Sequence, residues 1–405
     1  MKSLNWLIFI LAGIFVFSCK KENTTTPVSY WSVNIGSDKT VPLLPDSNVN
    51  YILYSFTRNK GDKMGIRIKG QFGYARYMSF NVYDNNTLST MTSMVDLNIV
   101  PDAGNENPFQ PSVSSSVTNR NYTVNICPGK IDSSSFPNLL QYDDNLEKIG
   151  IILRYYIPQQ NNYANVSLPT IEAFDVSTGK TVAAPVPSNT SFQQQFEQKY
   201  QKITILLNVA GILEAPKDVY FYKFSGAFLY PNKDNNYLFS PITFNKNQVV
   251  MVRFKAPSFS LNNTQNGLTD VRYFSICLCD AKTYTYSTTT DLRFKIASDG
   301  FINIVIGDED AALRAKAAGL NYVVLPSELK NNVKGLILFR NLLTNPSFLY
   351  SMNLVPDLST SVNLVNLLNL KNLQAQTYMS NYAPIGKKMT QAQYLLNFDS
   401  FPVSY

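Results

Sequence analysis

The side chains able to do chemistry in this 405-residue chain are carboxylates, arginines, tyrosines, lysines and four cysteines, because it contains no histidine. That removes Ser-His-Asp and Cys-His nucleophilic sites, His-ligated zinc or iron, and imidazole acid–base catalysis. No Gly-rich phosphate loop or dinucleotide fingerprint occurs, so no cofactor is expected. A glycosidase would need two carboxylates at a defined separation. Asp84, Asp96, Asp102 and Glu106 are candidates, but no spacing singles out a pair. The run DAGNEN, Asp102 to Asn107, carries oxygen ligands at loop spacing without the ladder of a calcium loop. Its expected role is a turn capped by Asx side chains, and no metal site is assigned.

The strongest chemical signal is a set of charges that occurs twice. RYMSFNVYD, Arg76 to Asp84, recurs as RYFSICLCD, Arg272 to Asp280. Arg76, Asp96 and Arg154 of the first copy correspond to Arg272, Asp291 and Arg340 of the second. Arg76 and Asp84 stand about 26 Å apart on one strand at roughly 3.3 Å per residue, so they cannot pair with each other. Buried arginines need carboxylates from neighbouring strands. The favoured reading is a structural Arg–Asp network inside each copy, with Asp96 the expected partner of Arg76 and Asp291 that of Arg272. The functional reading is a pocket whose arginine forks hold a small anionic ligand.

Strands must position these charges. By parity, Arg76, Met78, Phe80, Val82 and Asp84 share one face, matched by Arg272, Phe274, Ile276, Leu278 and Asp280. Further blocks repeat in the same order: IRIKGQF with VRFKAPSF, DLNIVPDAG with DLRFKIASDG, YTVNI with INIVIG, GIILRYYIP with GLILFRNLL, and VSLPTI with NLVPDL. Short alternating runs rich in Tyr, Phe, Thr and Ser, punctuated by DNN and PDAGNENP turns, predict β-sheet. The fold expected is mainly β: two tandem, duplicated jelly-roll-like β-sandwich modules with a few short helices and a helical C-terminal addition. The modules are placed at residues 28–175 and 216–360, joined by a linker at 176–215 whose FQQQFEQKYQKI stretch is helical by period. Helices are also expected over Asp308 to Gly319 and over Val362 to Leu373, the latter in the addition at 361–405.

The chain begins with Lys2 and an apolar run, Trp6 to Phe17, that ends in VFSC. This resembles a bacterial lipoprotein signal of the Bacteroidetes type, cleaved after residue 18 with lipid on Cys19, although Phe17 is bulkier than is common there. Residues 19–27 then form a flexible, Thr-rich tether. The resemblance implies a membrane-anchored protein of the bacterial cell envelope, most simply the outer membrane. With Cys19 taken by lipid, Cys127, Cys277 and Cys279 remain. An odd number leaves at least one free thiol, and all three read as small buried hydrophobes. The formal charge of +7 is mild and no Lys/Arg run exceeds two, so nucleic acid is not an expected partner.

The RYMSF, PDAGNENPF and RYFSI blocks together with GLILFRN resemble an uncharacterised family of secreted bacterial proteins. More loosely they resemble the paired domains of unknown function numbered 1254 and 1214. The likeness spans residues 50 to 360, and where related chains have Trp-Leu-Pro this one has NYVVLP, Asn321 to Pro326. It implies tandem jelly-roll-like domains and brings no catalytic residue. The function expected is an envelope lipoprotein that binds a polar extracellular ligand such as a glycan, through exposed Tyr and Asn between the modules. The rival is a histidine-free hydrolase or lyase working through carboxylates.

Overall fold

The computed structural model describes residues 30–34, 43–159, 163–188, 213–223, 230–358 and 370–396. The architecture is mainly β, four five-stranded sheets in two pairs. In the first half, one sheet runs in the order β1 (Ser32–Asn34), β2 (Val49–Thr57), β8 (Lys148–Tyr156), β4 (Tyr77–Asp84), β5 (Ser89–Val95). Its companion runs β10 (Thr181–Val182), β9 (Thr170–Asp175), β3 (Met64–Gln71), β6 (Asn121–Pro128), β7 (Leu139–Tyr142). The second half repeats the plan. One sheet is β12 (Tyr222–Lys223), β13 (Asn235–Phe244), β19 (Val333–Leu342), β15 (Tyr273–Asp280), β16 (Thr285–Thr290). The other is β11 (Asp218–Tyr220), β20 (Ile385–Thr390), β14 (Gln248–Lys255), β17 (Phe301–Gly307), β18 (Asn321–Val324).

The duplication extends to register. In the first half Arg154 lies opposite both Tyr51 and Ser79, and in the second Arg340 lies opposite both Tyr237 and Ser275. Each half also has one parallel pairing at the same place, β6 with β7 and β17 with β18. Strands β4 and β15, which Arg76 and Arg272 immediately precede, occupy equivalent positions.

Period-two patterning explains the cores. Met78, Phe80 and Val82 point into the first core with Ile66, Ile68 and Tyr122; Phe274, Ile276 and Leu278 point into the second with Phe254 and Phe339. Yet every residue of β4 and β15 is buried, because the opposite faces are covered as well. Tyr77, Tyr156 and Tyr273 form one cluster where the halves meet, with ring centroids 5.1 and 5.3 Å apart. Strand β17 is similarly sandwiched: Ile302, Ile304 and Ile306 face the core, while Val305 lies under Ala311 and Ala315 of α1 (Glu309–Ala317). That helix falls where the sequence places one. Asp308 caps it by accepting from the Ala311 amide at 3.1 Å, and Gly319 closes it at φ +71°, a conformation costly for other residues.

The end of the chain departs from expectation. NLVPDL, expected to match VSLPTI at the close of the repeat, forms no strand: it holds the end of a 3-10 turn, Met352–Leu354, and an isolated bridge from Asp357 to Lys223. The strand that completes the second half is β20, which pairs with β14 as β9 pairs with β3. The addition therefore supplies a sheet strand flanked by the short helices α2 (Gln376–Met379) and α3 (Gln391–Leu396). IGKKMT shows no clear apolar alternation, so its strand character comes from pairing rather than from its own pattern. The expected helix at Phe192 to Ile203, most of that at Val362 to Leu373, the signal run, Cys19 and the tether lie outside the described residues.

Candidate functional site: a charge network exchanged between the halves

Asp96 and Asp291 each open a 3-10 turn just after the hairpin strand of their own half, β5 and β16. Each binds the start of the neighbouring strand: Asp96 Oδ2 accepts from the Met78 amide at 2.7 Å, and Asp291 Oδ2 from the Phe274 amide at 3.3 Å. The arginines then cross over. Arg272 Nη1 donates to Asp96 Oδ1 and Oδ2 at 2.6 and 2.8 Å, and Arg76 Nη1 to Asp291 Oδ2 at 2.6 Å. The expected pairs, Arg76 with Asp96 and Arg272 with Asp291, are thus corrected: every partner comes from the other half. The physical reason is a quasi-two-fold relation between the halves, which brings equivalent strand ends together and lets each guanidinium reach across.

Side-chain exposure is 3% and 0% for Arg272 and Asp96, and 5% and 0% for Arg76 and Asp291. Burial pushes both carboxyls above the ordinary aspartate range, and the facing guanidinium and amide pull them back.

Arg154 and Arg340 are also served by the opposite half, but not in the same way. Arg340 Nη1 meets Asp46 Oδ2 at 3.3 Å and Cys277 Sγ at 2.8 Å, and its Nη2 donates to the Leu44 carbonyl. Arg154 has no ion pair among those of the described residues; its Nη2 donates to the Tyr230 carbonyl at 2.8 Å, between the rings of Tyr51 and Tyr83. Leu44 and Tyr230 occupy matching places in arms that precede β2 and β13, and both adopt positive φ, 53° and 51°. This conformation is uncommon for side-chain-bearing residues. Two aspartates of these arms complete the network: Asp46 accepts from Tyr273 Oη at 2.6 Å and Ser275 Oγ at 2.7 Å, and Asp234 from Tyr77 Oη at 2.6 Å. Sequence reasoning missed Asp46 and Asp234. Their signal was an Asp shortly before equivalent strands in both copies.

The remaining candidates are turned to local partners. Asp84 accepts from the Asn86 amide and Thr87 Oγ1, and Asp102 from Thr123 Oγ1. Asn107 Nδ2 donates to the carbonyls of Asp96 and Ile99, so the DAGNEN run holds the Asp96 turn in shape. No cluster of three metal-ligating side chains occurs among the described residues. Cys127, Cys277 and Cys279 are free thiols and buried, and burial pushes Cys127 up to about 12.

Away from the junction, tyrosines do reach solvent. Tyr350, 41% exposed, stacks on Tyr382 with centroids 5.0 Å apart and an interplanar angle of 19°. Phe348 packs edge-on beneath Tyr382, and Lys255 Nζ lies 5.3 Å from the Tyr382 ring centroid.

Fold and network together define a class: paired β-sandwich-type halves, duplicated in register and joined through a buried charge exchange. No family model and no curated protein matches the sequence. Among solved structures, an uncharacterised protein of Burkholderia cenocepacia has the same fold at 9% identity, covering 88% of this chain and 80% of its own, with a TM-score of 0.54. The VPA0106 protein of Vibrio parahaemolyticus aligns over 75% of this chain and 87% of its own at 11% identity, with a TM-score of 0.41.

Proposed function

We propose that this chain is a cell-envelope lipoprotein, tethered through lipid on Cys19, that binds a polar extracellular polymer such as a glycan without transforming it. The observation that carries this reading is the Tyr350–Tyr382 stack, in which Tyr350 is exposed and Tyr382 half-buried. Tyrosine offers a flat apolar face and a polar tip, which suits a ligand with C–H faces and hydroxyl edges. Lys255 over Tyr382 adds a donor at the same place. The tyrosines at the junction between the halves are buried, so the binding surface is assigned to this rim rather than to a cleft between modules. Against the hydrolase alternative stands the use of Asp84, Asp96 and Asp102 in holding turns and partners.

A screen of the soluble chain, lacking residues 1–19, against a panel of polysaccharides tests the reading. At least one polysaccharide should raise the melting temperature, since a ligand specific to the native state must stabilise it. Tyr350→Ala and Tyr382→Ala should each weaken that binding about tenfold or more. Binding unchanged in both variants, or release of shortened sugar products, would reject it. The anchor is tested separately: Cys19→Ala should free the protein from membranes.

A further inference from the structure

Arg120 stands just before β6 and is only 2% exposed. Its guanidinium lies over the ring of Tyr74, 3.7 Å from the centroid. Of its three side-chain nitrogens only Nη2 has a hydrogen-bond partner, the Ser115 carbonyl at 3.3 Å; Nε and Nη1 are buried with none. None of the ion pairs among the described residues includes it. Burial works against its charge, and Tyr74 is the group that offsets this. The other strongly buried arginines of the sheets are met by a carboxylate or by a carbonyl from the opposite half. Arg120 is left with a weak carbonyl bond and with Tyr74, which it meets through the ring and a side-chain hydrogen bond, and with no carboxylate.

The duplication shows that the fold does not need this side chain. Gln71 lies opposite Asn121 in the first half, and Lys255 opposite Phe301 in the second. One step further out, the Phe72 amide donates to the Arg120 carbonyl at 2.9 Å, just as the Ala256 amide donates to the Gly300 carbonyl at 3.0 Å. The second half thus makes the same strand entry with Gly300, which has no side chain at all. The backbone bond is kept and the charge is not.

The surroundings are suited to a polar ligand. The loop beside Arg120 exposes Ser112, Ser114, Ser115, Ser116 and Thr118. It is held from the opposite half by Asn263, whose Nδ2 donates to the carbonyls of Pro108, Gln110 and Val113 at 2.9, 3.3 and 2.6 Å. A buried guanidinium with free N–H groups and no counter-charge is expensive unless something accepts from it. An oxoanion can accept from several of these donors at once and neutralises the charge as it does so.

We propose that Arg120, backed by Tyr74 and bordered by the serine-rich loop, anchors a binding site for an oxoanion, the carboxylate or phosphate group of a small polar ligand. This site is distinct from the Tyr350–Tyr382 rim and from the exchanged charge network, and does not depend on the polymer-binding reading.

The test uses the soluble chain and thermal melting in potassium phosphate, potassium acetate and potassium galacturonate, each against potassium chloride at matched ionic strength. A saturable rise in melting temperature that chloride does not give is expected, from phosphate if the ligand carries phosphate and from the two carboxylates otherwise. Arg120→Met should abolish that rise, and Arg120→Lys, which keeps charge but loses the planar fork, should weaken it about tenfold or more. Identical melting in all four salts would overturn the proposal without any variant. So would a response in Arg120→Met equal to that of the parent. If the Met variant does not fold, Arg120→Lys decides: full retention of the response counts against the site, and loss supports it.

Discussion

Asp96 is held by two donors of opposite origin, the Met78 amide of its own half and the Arg272 guanidinium of the other. Removing one partner of a buried pair strands the other charge, so Arg272→Met should cost about 3 to 5 kcal/mol. A double-mutant cycle of Arg272→Met with Asp96→Leu should recover much of that loss, whereas Arg272→Met with Asp291→Leu should be close to additive. Denaturant melts of these variants distinguish the exchanged pairing from pairing within a half, which would reverse the two results. The pH dependence follows from the direction of the Asp96 shift. Its folded pKa is raised by burial, so its protonated form is favoured in the folded chain, a contribution present at acid pH and lost as pH rises through the folded pKa. Without Arg272 the carboxyl should rise further. The deficit of Arg272→Met should therefore be largest at neutral pH and shrink as the pH is lowered; a deficit that grows on acidification would contradict this. Burial likewise keeps Cys127 as a neutral thiol, pushed up to about 12. Cys127, Cys277 and Cys279 should resist a thiol reagent at pH 8 until denaturant is added. Prompt labelling of the native chain would place at least one of them at the surface.

At the level of elements, close strand packing sets the tolerance to change. Gly335 of β19 lies against β15, where an added Cβ would collide with the Cys279 carbonyl and crowd the Phe244 ring. Backbone cannot yield as a flexible side chain can, so Gly335→Ala should destabilise the protein by about 1 to 3 kcal/mol. Gly104→Ala, in a turn with nothing near the new Cβ but with φ at +74°, should be destabilising through backbone strain alone. Equal melting of Gly335→Ala and the parent would mean that β15 and β19 sit further apart than described. Legibility varied from element to element. The pattern of β4, β15 and α1 was plain because apolar periodicity and capping residues agree there. The character of β20 was hidden, because a strand completed by its neighbours needs little apolar pattern of its own.

Across the whole molecule, each half keeps part of its structure on the other. The arm before β2 bonds to the second half through the Leu44 amide and Thr283 carbonyl at 2.8 Å; the arm before β13 reaches the first through Tyr83 Oη and the carbonyls of Tyr230 and Pro231 at 3.3 and 3.1 Å. With arms, arginines and the Tyr77–Tyr156–Tyr273 cluster all shared, the halves should unfold together. Hydrogen exchange along a denaturant series should show amides of β4 and β15 losing protection in one transition. Two separated transitions would mean that the exchanged contacts contribute little.

Periodicity and internal repetition are properties of a single chain read along its length, so the β architecture, the duplication and six of the charges at the junction were legible before folding. The sequence also marked the absence of histidine chemistry, which no folding can restore. Which aspartate each arginine meets, which segment closes the second half, and the burial of Arg120 where its counterpart is a glycine emerge only in the folded chain. Those outcomes depend on how two similar halves are set against one another. Equivalent residues in a repeat are alike in sequence, and nothing in that likeness says whether a charge will find its partner at home or across the junction.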